Sequence, residues 1–213
     1  MDQFLFHLIN ERWTHPALDL FMAAVSDVEI WKPLLIVLAL CALIFLGFKG
    51  RAFLVCLALA LILADFFLVS TLKTAIGRRR PKQVQKVRMV QLERTHPRFM
   101  TLFKRPTIRY SDETDRNKSG PSFPSGHVTD NVIIGTICAL FFRRWGWLYF
   151  IIAASVAWSR IYLGAHWPSD VAGTTFLAVG EALLVLALAE LAWKRWAPRF
   201  APGLFDRHAR LID

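Results

Sequence analysis

The stretch Gly120-Pro121-Ser122-Phe123-Pro124-Ser125-Gly126-His127 ends a polar segment of the chain and opens an apolar one. A proline, a small hydroxyl residue and a glycine lead directly into the apolar run, which predicts that a helix begins here. The start of a helix offers unpaired backbone N–H groups and the positive end of the helix dipole, which together suit an anion. His127 would stand in the first turn, beside that anion. Alone, the pattern is more typical of a capped helix start than of a catalytic site, so the rest of the chain decides.

The composition of the chain indicates a membrane protein. Hydrophobic residues make up 55% of its 213 residues, with 8 Trp and 17 Phe, and the formal net charge is +10. This apolar content exceeds that of an ordinary soluble domain, and the length suits one domain over residues 1–213. The first three residues carry no basic group, so we expect no cleavable secretory signal. Three cysteines lie within apolar runs, which indicates buried small hydrophobes and no disulfide or metal site: Cys41, Cys56 and Cys138.

Five apolar runs are long enough, or nearly so, to cross a bilayer core, which takes about 20 helical residues. They cover residues 31–48, 52–72, 128–142, 145–163 and 171–193. Short basic turns at Lys49-Gly50-Arg51 and Arg143-Arg144 join the members of two pairs. We therefore predict an all-α, polytopic helical bundle with about five transmembrane helices. Residues 3–26 mix apolar and charged side chains around Pro16, which favours a broken helix in the membrane interface within residues 1–30.

Two basic segments lie outside these runs. Residues 82–120 hold 10 Lys/Arg and 4 Asp/Glu, a surplus of +6, and form an extramembrane loop. Loops of this size are usually functional or disordered. The tail, residues 194–213, is basic with interspersed aromatic residues, which predicts a segment lying on the membrane surface.

Counting the predicted spans places three polar segments at one membrane face: residues 73–80, 124–127 and 160–170. The two short turns and the tail lie at the opposite face. The positive-inside rule counts 9 Lys/Arg at the face with the turns and tail, and 14 at the face with the long loop. That count would place the long loop in the cytoplasm, although several of its cations are suited to binding an anion.

The first of these segments contains Lys73-x6-Arg80-Pro81. Seven residues correspond to two helical turns, a rise of roughly 10 Å, so both cations return to nearly the same side. Such a pair can hold an anion from two points, Arg80 by its planar fork and Lys73 as a point charge. For this cluster alone, the commoner interpretation is that both cations extend from a helix end towards the membrane surface and have no binding role.

The other two segments add donors and a candidate nucleophile. Ser125, the backbone N–H of Gly126 and His127 would form a preorganised site for developing negative charge. In Ser159-Arg160-x5-His166-x3-Asp170, the last two residues are four apart, so the carboxylate can hold an imidazole N–H and fix which ring nitrogen is free. A histidine held in this way can act as a nucleophile towards phosphorus. A lone histidine near a span end is more often an interfacial side chain.

The three clusters together resemble the type 2 phosphatidic acid phosphatase superfamily. The pattern of that family is Lys-x6-Arg-Pro, then Pro-Ser-Gly-His, then Ser-Arg-x5-His-x3-Asp. This chain matches it at every position, in order and at the predicted membrane edges. The matching residues are Lys73, Arg80, Pro81, Pro124, Ser125, Gly126, His127, Ser159, Arg160, His166 and Asp170. The resemblance covers the chain from about residue 16 to residue 192.

The resemblance implies a metal-independent phosphatase without a cofactor. His166 would attack phosphorus and form a phosphohistidine, with Asp170 orienting the ring. His127 would protonate the leaving oxygen, and water would then release phosphate. The phosphoryl oxygens would be held by Lys73, Arg80, Ser125, Gly126 and Arg160.

The resemblance also implies a helical bundle shared with vanadium-dependent haloperoxidases. Larger family members have six spans, and this chain would lack the first and begin at the interfacial helix. Family members usually act at the outer side of the membrane. We therefore expect an integral protein of the bacterial inner membrane whose site faces the periplasm, against the count of basic residues. The expected partners are the bilayer and a phosphorylated lipid, with no nucleic acid.

The charge of the loop at residues 82–120 predicts a class of substrate. A positive surplus at the mouth of a site raises the local concentration of polyanions. The expected substrate is a lipid with more than one phosphate or a pyrophosphate, such as undecaprenyl pyrophosphate, phosphatidylglycerol phosphate or the lipid A 1-phosphate. Phosphatidic acid is the simpler alternative.

Three other functions remain open. A phosphohistidine can pass its phosphoryl group to a lipid hydroxyl, which would make the protein a phosphotransferase. A haloperoxidase would use nearly the same residues but fits poorly with five spans. A small anion transporter or channel would keep the architecture and would not depend on His166. The spacing of the three clusters favours the phosphatase.

Three acidic residues fall within the apolar runs: Asp65, Asp130 and Glu181. An ionisable group at membrane depth indicates a functional role by default. The family pattern does not require these residues, so a paired structural role is an equal alternative. Our hypothesis is that Asp130 helps to position a basic residue of the site.

Overall fold

The computed structural model describes residues 1–117 and 120–212. The predicted loop (82–120) and tail (194–213) include Lys118, Ser119 and Asp213, which lie outside the described residues. The chain is mainly helical, which confirms the predicted all-α bundle. The elements are α1 (Asp2–His7), α2 (Pro16–Ser26), α3 (Val28–Phe45), α4 (Gly47–Leu63), α5 (Ser70–Ile76), α6 (Pro81–Val84), β1 (Arg88–Gln91), β2 (Thr107–Tyr110), α7 (Glu113–Asn117), α8 (Gly126–Phe141), α9 (Tyr149–Tyr162), α10 (Pro168–Phe200) and α11 (Pro202–Phe205).

The first two long apolar helices, α3 and α4, are separated by Leu46 alone. Gly47 allows this reversal because its φ of 56° lies in the left-handed region, which glycine adopts without steric cost. The predicted turn at Lys49-Gly50-Arg51 is therefore wrong, because these residues lie within α4. Gly50 is needed for packing, since a side chain there would collide with the Ala42 carbonyl of α3.

The second apolar run continues past the end of α4. Residues Ala64–Val69 form a π-helical segment and lead directly into α5. Gly77, with a φ of 58°, ends the helix, and its N–H donates to the Lys73 carbonyl at 3.1 Å. The predicted anion-binding cation Lys73 therefore lies in the last turn of a long helical rod.

Within the described residues, three helical stretches are long and apolar enough to cross a membrane: Val28–Phe45, the stretch within Gly47–Val84, and Pro168–Phe200. The other two predicted spans are the shorter helices α8 and α9, of 16 and 14 residues. These rise about 24 and 21 Å, less than the roughly 30 Å of a hydrocarbon core. All five apolar runs are thus helical, and three of them reach spanning length.

The helices α4, α8 and α10 share one apolar core. Many of its completely or almost completely buried members are small or branched side chains, among them Cys56, Ala60, Ile133, Ile137, Ala178 and Ala182. Small side chains let the backbones of neighbouring helices approach closely, as in other membrane bundles. The contact of α8 with α10 is the most extensive between any two elements in the described ranges. It fixes the relative position of two helices whose first turns contain predicted site residues.

The predicted basic loop has its own secondary structure and is anchored to the bundle. The strands β1 and β2 pair antiparallel, with Arg88 opposite Tyr110. Arg88 Nη2 lies 2.8 and 2.7 Å from the two carboxylate oxygens of Asp19, on α2. Tyr162, at the end of α9, donates its hydroxyl to the same carboxylate at 2.7 Å. This buried network holds the two-stranded sheet against α2 and α9.

The N-terminal region is a helix interrupted before Pro16. The helix α1 continues as a π-helical segment, Leu8–Arg12, and α2 begins at Pro16. Phe6 is completely buried, and its ring centroid lies 5.2 Å from that of Trp167. The helix α1 therefore packs beside the start of α10.

The last helix is longer than the sequence predicts. It extends to Phe200, past the expected end near residue 193. The tail then turns back onto the bundle: the His208 ring stacks on Phe48 with centroids 4.2 Å apart. Trp193 Nε1 donates to the His208 carbonyl at 2.9 Å. Part of the predicted interfacial tail is thus packed against helix ends.

Candidate active site

The structure brings the three predicted motifs together. Arg80 and Arg160 are both close enough for their charges to act on His127 and His166, and Lys73 acts on His127. The three motifs lie 32 to 97 residues apart in sequence when measured between their matching residues, so only the fold unites them. The candidate site is formed by the end of α5, the start of α8 and the segment between α9 and α10.

His166 lies in the tight turn between α9 and α10 and is only 3% exposed. The main-chain carbonyl of Arg160 accepts the N–H groups of Ala165 and His166 at 3.0 and 3.1 Å. Gly164 has a φ of 70°, and a side chain on it would press against Val87 and the loop strand β1. The turn and the overlying loop together fix the backbone that presents His166.

The predicted direct contact between His166 and Asp170 is replaced by an arrangement through Ser122. The Nδ1 atom of His166 lies 3.9 Å from Asp170 Oδ2, beyond hydrogen-bond distance. Ser122 Oγ donates to the same oxygen at 2.5 Å and lies 3.5 Å from His166 Nδ1. Asp170 belongs to the first turn of α10, where Oδ2 also accepts the Trp167 N–H at 2.9 Å. The Nδ1 side of the ring therefore faces a serine held by a carboxylate.

The second oxygen of Asp170 is paired with Arg78. Arg78 Nη1 lies 2.6 Å from Asp170 Oδ1 and donates to Ser169 Oγ at 2.7 Å. Its other terminal nitrogen, Nη2, lies 2.6 Å from Asp2 Oδ2. Asp2 in turn accepts the N–H of Ser169 at 2.9 Å. One guanidinium thus joins the N-terminal helix, the end of α5 and the start of α10.

The environment of His166 favours its neutral form. Burial, followed by the positive charges of Arg160 and Arg80, lowers the pKa of His166 well below its usual range. A close interaction with the main chain of Ser122 opposes this effect in part. The imidazole is therefore uncharged near neutral pH, which is the form that a nucleophile requires.

Arg80 connects the first motif to the stretch before α8. Its Nε donates to the carbonyls of Gly120 and Pro121 at 3.0 and 3.3 Å. Its backbone N–H donates to the Gln83 side chain at 2.7 Å, which opens α6. The charge of Asp170 also acts on Arg80. The guanidinium of Arg80 is thus held next to the loop that leads to Ser125.

Two buried donors of the predicted site have no hydrogen-bond partner among the described residues. These are Ser125 Oγ and Arg160 Nε. The Ser125 backbone is fixed, because its N–H donates to Thr174 Oγ1 at 3.1 Å. A side chain added to Gly126 would meet nothing within 4 Å. The start of α8 therefore combines a buried hydroxyl that has no partner in the described part of the chain with open space beside Gly126 and the partial positive charge of a helix N-terminus.

The end of α2 supports the other side of the site. Ser26 accepts a short hydrogen bond from Arg160 Nη1 through its hydroxyl. The main chain of Ser26 is also close enough to interact with the His127 ring. His127 is exposed, in contrast to the buried His166. Desolvation of the ring by the surrounding protein, followed by the charges of Arg160, Arg80 and Lys73, lowers the pKa of His127 to about 4. His127 can therefore act as an acid near neutral pH only when a bound anion offsets these positive charges.

Two of the three acidic residues within the apolar runs, Asp65 and Asp130, lie near Lys73. The charges of Asp65 and Asp130 both act on Lys73, and the charges of Asp65 and Asp130 act on Glu181. This proximity agrees with the hypothesis that Asp130 helps to position a basic residue, which remains a prediction.

All eight predicted site residues thus belong to one cluster or to its immediate edge: Lys73, Arg80, Ser125, Gly126, His127, Arg160, His166 and Asp170. Sequence reasoning missed Arg78, Ser122, Ser26 and Asp2. Two of these could have been identified from the sequence, because Arg78 lies within the first motif and Ser122 within the stretch before α8. The functional groups of the site are cations, hydroxyls and N–H donors, which suit an anion. Residues 1–117 and 120–212 contain no cluster of His, Cys, Asp and Glu suited to hold a metal ion.

Fold and site together define a class of protein: a helical membrane protein in which helix ends bring cations, hydroxyls and N–H donors together around a buried histidine. Residues 53–194 match the PAP2 superfamily. This range includes every residue of the three motifs, and the chain belongs to this superfamily.

Comparisons with individual proteins agree with this assignment. The chain is 44% identical over 64 residues to the bacitracin transport permease protein BcrC of Bacillus licheniformis, an alignment that spans 30% of this chain and only 32% of that protein. It is 26% identical over 193 residues to the lipid A 4'-phosphatase of Bacteroides thetaiotaomicron, spanning 88% of this chain and 77% of that protein. The crystal structure of Aquifex aeolicus LpxE has the same fold, with a TM-score of 0.60, 23% identity and coverage of 87% of this chain and 94% of that chain.

Proposed function

We propose that the protein is a membrane-bound lipid phosphatase that acts through a phosphohistidine at His166. One observation carries this proposal: Ser125 Oγ and Arg160 Nε are buried without a partner among the described residues, in the cluster that contains His166. A buried donor without a partner is costly. Hydroxyl and guanidinium donors are well suited to phosphoryl oxygens, so a bound phosphoryl group would satisfy both.

In the first step, the Nε2 atom of His166 would attack phosphorus. This nitrogen is the one available, because Nδ1 faces Ser122 and Asp170. A P–N bond forms while the bond from phosphorus to the leaving oxygen breaks. His127 would give its proton to that oxygen, so that the lipid leaves as an alcohol or as a lipid phosphate.

In the second step, water would attack the phosphohistidine. His127, now neutral, would accept a proton from the water as its oxygen bonds to phosphorus. The P–N bond breaks, His166 returns to its neutral form, and inorganic phosphate leaves. Lys73, Arg80 and Arg160 would balance the charge on the phosphoryl oxygens in both steps, with the Ser125 hydroxyl and the Gly126 N–H as further donors.

The class of substrate and the location are further parts of this proposal. The relative with the broadest coverage mentioned above is named as a lipid A 4'-phosphatase, and a phosphorylated membrane lipid fits a site at the ends of membrane-length helices. We place the protein in the bacterial inner membrane with its site facing the periplasm, and we expect no metal ion or organic cofactor.

The decisive experiment measures phosphate release by the purified protein from a panel of phosphorylated lipids, with EDTA present. The panel contains phosphatidic acid, phosphatidylglycerol phosphate, undecaprenyl pyrophosphate and lipid A. We expect release from at least one lipid, and complete loss in His166→Ala with unchanged thermal unfolding. Acid-labile labelling of His166 by a ³²P-labelled substrate would identify the intermediate. Activity that requires a divalent metal would contradict the mechanism.

The same panel separates the phosphatase from its alternatives. A phosphotransferase would release no inorganic phosphate until a lipid hydroxyl acceptor is added. A transporter, which the name of the Bacillus licheniformis relative invites as a comparison, would retain anion flux in vesicles after His166→Ala. We expect that substitution to remove all activity.

A further inference from the structure

A cavity of about 440 Å³ opens next to His127. Its walls come from the junction of α2 and α3, from residues 90–92 at the end of β1, and from Arg94 and Arg98 in the basic loop. Ser26, which holds Arg160, is also part of the wall. The cavity is thus continuous with the candidate active site on the side of His127.

The two arginines give this cavity a positive wall. Arg98 Nη2 pairs with Asp27, the acidic residue of the lining, while Arg98 Nη1 is buried without a partner among residues 1–117 and 120–212. Asp27 Oδ1 also accepts the Glu29 N–H at 3.1 Å, so the carboxylate is fully engaged. Arg94 forms no hydrogen bond or ion pair with another described residue. Two guanidinium groups against one engaged carboxylate leave a net positive charge.

We propose that this cavity binds a second phosphate, carried by the leaving group of the substrate. This inference rests on the proposed function, because His127 is there the acid that protonates the leaving oxygen. The leaving group must then lie against His127, and the cavity is the space that His127 borders. Guanidinium groups bind phosphate through parallel N–H donors, which matches the free Nη1 of Arg98 and the side chain of Arg94.

Two kinds of lipid carry a second phosphate in the leaving group, where it could enter the cavity. In a lipid diphosphate, the second phosphate is directly attached to the leaving oxygen. In a phosphorylated sugar lipid, the second phosphate lies further along the headgroup, and a cavity of about 440 Å³ has room for a sugar. In both cases the cavity recognises a second phosphate, and it makes no contribution to a lipid with one phosphate.

The experiment compares steady-state kinetics of the full-length protein on undecaprenyl pyrophosphate, lipid A with two phosphates, and phosphatidic acid. The variants are Arg94→Gln and Arg98→Gln, with Arg105→Gln as the matched control, because Arg105 is an exposed residue of the same loop outside the cavity lining. We expect KM to rise about tenfold or more for one two-phosphate lipid in both variants. The lipid affected identifies the source of the second phosphate. Phosphatidic acid and the control variant should stay within twofold of the unsubstituted protein.

Arg98→Gln breaks an ion pair with Asp27 and can weaken the fold, so Arg94→Gln decides the outcome. An equal loss on phosphatidic acid, or unchanged KM values on both two-phosphate lipids, would overturn the proposal. Calorimetric titration with inorganic pyrophosphate and phosphate gives a readout that does not need turnover. If no lipid is hydrolysed but Arg94→Gln still removes a preference for pyrophosphate, the phosphatase proposal fails and the anion site stands. If the lipids are hydrolysed and Arg94→Gln changes neither binding nor KM, the anion site fails alone.

Discussion

Arg78 Nη1 lies 2.6 Å from Asp170 Oδ1, and this ion pair adjoins the candidate nucleophile, His166. The Asp170 side chain is completely buried, while that of Arg78 is 35% exposed. The other oxygen of Asp170 is occupied by the Ser122 hydroxyl at 2.5 Å. Asp170 is therefore linked to His166 through the Ser122 hydroxyl, and Arg78 holds the carboxylate in place.

We expect Arg78→Ala to destabilise the protein and to reduce turnover. The substitution leaves a buried carboxylate without its cation, which costs on the order of 2–3 kcal/mol, below the range for a fully buried pair because Arg78 is partly exposed. The thermal unfolding temperature in detergent measures the first effect, and phosphate release measures the second. Arg79→Ala is the control, since Arg79 is exposed and its side chain has no partner among the described residues. Equal unfolding temperatures for the two variants would contradict the role of the ion pair.

Ser122→Ala tests whether the serine positions His166. The hydroxyl is completely buried between His166 Nδ1 and Asp170 Oδ2. Without it, the ring loses its fixed orientation, and kcat is expected to fall on the order of a hundredfold while KM changes little. Ser122→Thr keeps the hydroxyl and should restore part of the turnover if the methyl group is accommodated. A raised KM with an unchanged kcat in Ser122→Ala would show that Ser122 binds substrate instead.

The pH dependence of kcat/KM should report the low pKa of His166. Protonation removes the nucleophile, so activity falls as the pH drops through this pKa. Because burial and the charges of Arg160 and Arg80 lower the pKa of His166 well below its usual range, activity should persist at pH values at which an ordinary histidine is protonated. The measurement is a pH profile with a lipid whose ionisation is known over the same range.

The direction of the pKa shift of His166 can be tested by removing one of the positive charges that cause it. Arg80→Gln takes away a charge that disfavours the imidazolium, so the pKa of His166 should rise and the acid limb of the profile should move to higher pH. The position of the limb is the readout, since the level of activity also reflects lost substrate binding. Arg105→Gln should leave the limb in place. A limb that moves to lower pH would contradict the assignment of the group that titrates.

The helices and the main site residues could be predicted from the sequence because their signals are local. Apolar runs of nearly membrane length predicted every long helix, and the spacing of the three motifs selected residues that the fold brings together. The position of one turn was missed because Gly47 and Gly50 are both in a short polar stretch. Nothing local distinguishes the glycine that needs a positive φ from the one that needs close packing.

Contacts between distant segments could not be predicted in this way. Arg78 is one of three consecutive arginines, so its pairing with Asp170 and Asp2 is visible only in the folded chain. The strands β1 and β2 have four residues each, too few for a recognisable alternation. The role of Ser26 depends on where α2 ends relative to α9, which is set by tertiary packing.

Gly126→Ala tests whether Gly126 is required for substrate binding or for the stability of the fold. A methyl group at this position meets no protein atom within 4 Å, and Gly126 has a φ that other residues adopt readily. Because alanine also favours a helix more than glycine does, the unfolding temperature should stay equal or rise slightly. If the Gly126 N–H approaches the phosphoryl group, the methyl group stands in the path of the substrate, and KM should rise about tenfold or more. The matched control is Gly180→Ala, which lies in α10 with the same open surroundings and outside the motifs. Unchanged kinetics in Gly126→Ala would remove Gly126 from the site.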